Sequence, residues 1–82
     1  MTIESLRNEI DTIDTQIVAL LNHRYSCCIE IGKLKKEQNT TILDSGREKR
    51  IINNLSLDEK YSGMVEAVWP AIMAFSRELQ SV

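Results

Sequence analysis

The chain is short of almost everything that marks a metal site, a disulfide scaffold or a membrane span. It has a single His and two Cys, too few for zinc-ligand spacing. Cys27 and Cys28 are neighbours whose side chains diverge by ~100° on a helix, so they cannot bridge each other and read as small apolar residues. His23 reads as a surface residue. No apolar run approaches the ~20 residues of a membrane span. A net charge of −2 lacks the basic excess that nucleic-acid binding needs. The opening Met1-Thr2-Ile3-Glu4-Ser5-Leu6-Arg7 has no basic region followed by an apolar stretch, so a cytoplasmic protein is expected. Strand-like alternation, internal repeats and low-complexity tracts are absent too. The only Pro is Pro70, and the three Gly are Gly32, Gly46 and Gly63.

What is present is helical periodicity. Apolar residues recur at alternating steps of three and four at Ile3, Leu6, Ile10, Ile13, Ile17 and Leu20, then at Cys27, Ile31 and Leu34. One helix is expected from about Thr2 to about Glu37, which at ~1.5 Å per residue is ~54 Å long. A compact globule of this chain length has a radius of gyration of only ~12 Å. Such a helix outruns its own domain and leaves its seam uncovered. An obligate oligomer is therefore expected, most simply a two-fold dimer.

Two cations interrupt that seam. Position 24 belongs to the apolar series and is Arg; Lys35 lies almost a whole number of turns beyond it. Burying unpaired charge costs several kcal/mol, so each needs an anionic partner, a polar cavity or a route to water. The pair reads as an anion site inside a helical assembly.

Gln38 to Thr41 are turn-prone or β-branched and end the first helix, with Ile42 and Leu43 expected to tuck the connection against the core. A second helix is expected from Asp44 or Ser45 to about Leu55. Ser45 and Glu48 fit a capping box, with Asp44 as the alternative cap. A further capping box, Ser56-Leu57-Asp58-Glu59, opens an expected third helix that runs to about Gln80. Its stripe is Tyr61, Val65, Val68, Ile72, Phe75 and Leu79. Pro70 inside it predicts a kink or local opening. The fold class is all-α, three helices per chain, in a single domain spanning residues 1–82.

Asp44 and Glu48 share one face of the second helix, with Arg47 beside them. Ser76 and Gln80 are likewise one turn apart, along the flank of the third helix. Brought around Arg24 and Lys35, these groups make a pocket of several cations, two carboxylates, a hydroxyl and an amide. Each has a plain alternative: Asp44, Ser45 and Glu48 serve as caps, while Arg7, Arg47, Lys49 and Arg50 form a solvated surface. Arg24 and Lys35 can also reach past the seam to water.

The residues resemble the all-helical (type II) chorismate mutase family along almost the whole chain. The resemblance rests on separated blocks in the family's order. These are Leu6-Arg7-Asn8-Glu9-Ile10-Asp11-x-Ile13-Asp14, Leu20-Leu21-x-x-Arg24, Ile31-Gly32-Lys33-x-Lys35, Asp44-x-x-Arg47-Glu48 and Ser76-Arg77-x-Leu79-Gln80. It implies an intertwined homodimer that converts chorismate to prephenate in aromatic amino-acid biosynthesis, with no cofactor and no metal. Arg24, with Arg7 from the partner subunit, is implied to bind the two substrate carboxylates. Lys35 and Gln80 are implied donors to the ether oxygen. Glu48 is implied to accept from the ring hydroxyl, assisted by the Asp44 region. Arg47 is implied to order that loop, Ser76 to contact a carboxylate, and Ile31, Ile51 and Met73 to form apolar walls.

Two positions depart from the family pattern. Thr41 stands where Pro is frequent, and Gly46 in the first turn of the second helix disfavours helix by ~1 kcal/mol relative to Ala. Both loosen the segment that carries Asp44 and Glu48. Two alternatives stay open at this level. One is an isochorismate pyruvate lyase of the same fold. The other is a noncatalytic or partner-activated helical dimer in complex with another shikimate-pathway enzyme.

Overall fold

The computed structural model describes residues 1–81; Val82, the last residue of the expected domain, lies outside them. The architecture is α1 (Ile3–Glu37), α2 (Ser45–Ser56) and α3 (Met64–Gln80), with no strand among the described residues. The chain is all-α, as expected. Thr2 stands just outside α1 as its cap: its hydroxyl accepts from the Ser5 N–H at 3.0 Å, and its own N–H donates to the Ser5 hydroxyl at 2.9 Å. No helix among the described residues is long and apolar enough to cross a membrane.

α1 ends because Asn39 takes the left-handed conformation, with φ 54°. The Asn39 N–H then bonds the Lys36 carbonyl at 3.3 Å and the Thr40 N–H bonds the Lys35 carbonyl at 2.8 Å. These are the two closing bonds of a Schellman turn, and Asn tolerates that backbone better than any residue but Gly. The connection is short, so α2 folds back at once. Its cap is Asp44, whose Oδ1 accepts from the Arg47 N–H at 2.9 Å. The Ser45–Glu48 capping box does not form, because Glu48 turns toward α3 instead. Ile42 is half-buried as expected, whereas Leu43 is exposed.

The third helix begins later than expected. Ser56 is the last residue of α2, and α3 starts only at Met64, after a left-handed Gly63 with φ 83°. The Ser56–Glu59 capping box is thus corrected to a connection, and Tyr61 lies in it rather than on the helical stripe. Glu59 does act as a cap, but from outside the helix. Its two carboxylate oxygens accept from the Gly63 N–H at 3.1 Å and the Val65 N–H at 3.0 Å. This supplies the acceptor that Gly63 lacks. α3 runs through Pro70 without ending. Pro70 and Glu66, one turn earlier, are both exposed, so the carbonyl that proline leaves unbonded lies on the solvent side of the helix.

α3 packs on both other helices, while α1 and α2 do not pack on each other among the described residues. The buried set is small: Cys28 and Gly32 of α1, with Val65, Ile72, Met73 and Ser76 of α3. Cys27 is exposed. Val65 and Ile72 of the expected stripe are buried, whereas Val68 and Phe75 are exposed and Ser76, off the stripe, is only 4% so. Phe75 still meets the Tyr25 ring edge-on at 4.9 Å. At Gly32 the two backbones nearly touch: an added Cβ would fall 2.5 Å from the Gln80 carbonyl oxygen.

The seam of α1 finds no cover among the described residues. Ile10, Ile13, Ile17 and Leu20 are all exposed, Leu20 by 69%. The radius of gyration is 15.8 Å, and the longest dimension of 54 Å is the length of α1 itself. A compact chain of this length would give ~12 Å.

Candidate active site

A cavity of about 350 Å³ opens where α1 and α2 fail to touch, with α3 as its floor. α1 contributes Arg24, Cys27, Cys28, Ile31 and Lys35; the connection contributes Ile42 and Asp44. α2 adds Arg47, Glu48 and Ile51, and α3 adds Met73, Ser76, Arg77 and Gln80. Every site residue expected from the sequence lies on this wall except Arg7. That residue sits exposed on α1, ~25 Å along the helix from Arg24. The size suits a small organic ligand.

Lys35 is fixed by two acceptors. Its Nζ donates to the Ile42 carbonyl at 2.7 Å and to Gln80 Oε1 at 3.1 Å. The first contact ties the ammonium to the connection that begins α2. The second orients the Gln80 amide: with its oxygen turned to Lys35, its NH2 group is left to donate. The near-contact of α1 and α3 at Gly32 sets the distance between these two side chains.

Arg24 is anchored by its Nη1, which donates to the Ser76 hydroxyl and approaches the Cys28 Sγ at 3.8 Å. Ser76 donates its own proton to the Ile72 carbonyl at 2.7 Å. With that proton engaged, Ser76 orients Arg24 in the open cavity instead of presenting a donor of its own. The expected flank position of Ser76 is corrected accordingly: it is buried beneath the arginine.

The carboxylates are arranged differently from one another. Asp44 caps α2 through its Oδ1 and lines the cavity beside the first turn of that helix. Glu48 meets Arg77, whose Nη1 donates to both carboxylate oxygens at 2.7 and 2.6 Å. Arg77 is a lining residue to which the sequence pattern assigns no role. It lies in the Ser76–Gln80 block, three residues before Gln80 and on the same helical face, which was the available signal.

The electrostatic balance is one-sided. Arg24, Lys35, Arg47 and Arg77 line the cavity against Asp44 and Glu48, leaving a surplus of two positive charges. Among the described residues the only ion pairs are Lys33–Glu30 on the surface and Arg77–Glu48. Arg24, Lys35 and Arg47 therefore have no carboxylate partner among the described residues. Donors that converge on a cavity and are not neutralised by the protein suit an anionic ligand.

The family model described as chorismate mutase type II matches residues 6–81. A solved structure of a conserved hypothetical protein from Pyrococcus furiosus is 35% identical; the match covers 98% of this chain and 96% of that one, with a TM-score of 0.83. No curated protein matches the sequence. With the family model spanning nearly all of the chain, including every lining residue of the cavity, the chain belongs to the chorismate mutase type II family.

Proposed function

We propose that this protein is a chorismate mutase, converting chorismate to prephenate by an intramolecular Claisen rearrangement. The observation that carries the proposal is the surplus of two positive charges in a small, pre-formed cavity. Chorismate is a dianion of matching charge. In the rearrangement the ether C–O bond breaks as the new C–C bond forms, within one molecule. No nucleophile, proton transfer or metal is needed, and the cavity offers no nucleophile poised beside a base.

The residues divide the work in two. Arg24, held by Ser76, binds one carboxylate and so favours the compact reactive conformer over the extended one. Lys35 and the Gln80 NH2 group donate to the ether oxygen, where negative charge grows as the bond breaks. Both are fixed before substrate arrives, so little reorganisation is needed in the transition state. Glu48 accepts from the ring hydroxyl, Asp44 and Arg47 hold the rim, and Ile31, Ile51 and Met73 wall the ring.

The second carboxylate requires Arg7 of the partner subunit. Within one chain Arg7 is ~25 Å from Arg24, too far to share a ligand. The uncovered seam of α1 supplies the means: two α1 helices pairing along it carry the N-terminal end of one toward the cavity of the other. Activity is thus a property of the dimer.

The test is turnover of chorismate by the purified protein and by Lys35→Ala, with the product separated by chromatography. Prephenate from the wild type is expected, with kcat reduced about 10²- to 10³-fold in the variant. Salicylate and pyruvate as products would make the protein a lyase. No turnover by a folded dimer would shift the reading to a partner-activated or noncatalytic role.

A further inference from the structure

We propose that Arg77 is a positioning residue, acting through Glu48 rather than on the substrate. This rests on the mutase reading and assigns how that site holds its hydroxyl acceptor.

Glu48 poses a problem for any cavity that takes a dianion. A carboxylate aimed inward repels the ligand that the surrounding cations attract. It also sits in the first turn of α2, where Gly46 and the missing Thr41→Pro restraint leave the backbone less constrained. The structure answers both difficulties with one side chain. Arg77 reaches across from α3 and places Nη1 on both Glu48 oxygens, at 2.7 and 2.6 Å. The pair is neutral in sum, so Glu48 stays in place without opposing the ligand. It also ties the first turn of α2 to the last turns of α3, which bear Ser76 and Gln80.

The burial of the pair favours this role over a purely structural one. The Arg77 side chain is 36% exposed and that of Glu48 25%. An ion pair with that much access to water contributes little to folding stability. Its place on the cavity wall is what distinguishes it from the surface pair Lys33–Glu30. A carboxylate clamped at both oxygens keeps lone pairs free for one hydroxyl but cannot swing away from it. Arg77 therefore decides where on the ring that hydroxyl must lie.

The proposal is tested by a double-mutant cycle in the full-length protein, using Arg77→Met, Glu48→Gln, the double variant and Arg77→Lys. Each is assayed for kcat and KM with chorismate and for thermal melting. Arg77→Met is expected to lower kcat/KM by about 10- to 100-fold with a nearly unchanged melting temperature. In the Glu48→Gln background the same change should cost less than about threefold, because its target is gone. Arg77→Lys, which keeps a charge within reach of Glu48, should recover part of the loss. Independent effects that multiply in the double variant would overturn the proposal, since Arg77 would then contact the substrate itself. So would a neutral Arg77→Met. A wild type that neither binds nor turns over chorismate would overturn the mutase reading and this inference with it. Failure confined to the variants would reach only the inference.

Discussion

Gly32→Ala isolates the contact that places Lys35 against Gln80. A Cβ at position 32 would lie 2.5 Å from the Gln80 carbonyl oxygen, 2.6 Å from its Cα and 3.0 Å from its carbonyl carbon. These are backbone atoms of another helix, which cannot rotate aside. Restoring van der Waals separation requires the end of α3 to retreat by about 1 Å. The Lys35–Gln80 hydrogen bond, 3.1 Å at present, would then lengthen beyond useful range. A misplacement of ~1 Å at reacting groups costs on the order of 10²-fold in rate. Overpacking costs ~1–3 kcal/mol, offset by the ~1 kcal/mol that Ala gains over Gly in a helix. The net loss of roughly 1 kcal/mol corresponds to a fall in melting temperature of ~4–8 °C. Gly46→Ala is the matched control, since its Cβ would meet only Arg50 Nη1 and Asp44 Oδ1, both at an ordinary 3.6 Å. Steady-state prephenate formation and calorimetric melting measure the two effects. A Gly32→Ala protein with wild-type kcat would refute the reasoning, because Gln80 would then not depend on that close approach.

Two further outcomes follow from the same geometry. The wild-type rate is expected to be flat through neutral pH, because the Gln80 amide donates without a proton to lose. In Gln80→Glu only the protonated carboxyl donates, so kcat falls as pH rises, by about tenfold per unit above the group's pKa; a flat profile in the variant would remove residue 80 from the ether oxygen. Co-refolding of Arg7→Ala with Arg24→Ala, each inactive alone, is expected to restore about a quarter of wild-type activity, since each mixed dimer keeps one complete site. No recovery from mixed dimers isolated by affinity tags would mean that the partner does not supply Arg7.

The elements whose signals are local were legible in the sequence. The uninterrupted period of Ile10, Ile13 and Ile17 fixed the course of α1, and Gln38 to Thr41 marked its end within a residue. The cations that break the period, Arg24 and Lys35, mark the cavity wall in the sequence itself. The start of α3 was not legible, because Ser56 to Glu59 satisfies the capping pattern while Glu59 caps from outside the helix. Ser62-Gly63 was the truer signal, as a left-handed backbone is open to Gly at little cost. The face of α3 is legible only in part, through Val65 and Ile72. Hydrophobicity favoured Val68 and Phe75, yet the buried strip follows Ser76, whose hydroxyl finds both Arg24 and the Ile72 carbonyl. The pairing of Arg77 with Glu48 joins residues far apart in sequence, and no local spacing announces it.

In the proposed dimer, the bare seam of α1 would also fix how this protein responds to dilution. A chain that buries so few apolar side chains on its own has little reason to remain folded once separated from its partner. Folding, association and completion of the anion site then become a single equilibrium, governed by the total concentration of chains. Specific activity and thermal resistance would rise and fall together along that axis. The protein would have no intermediate regime in which a folded but lone subunit holds an idle, half-built cavity.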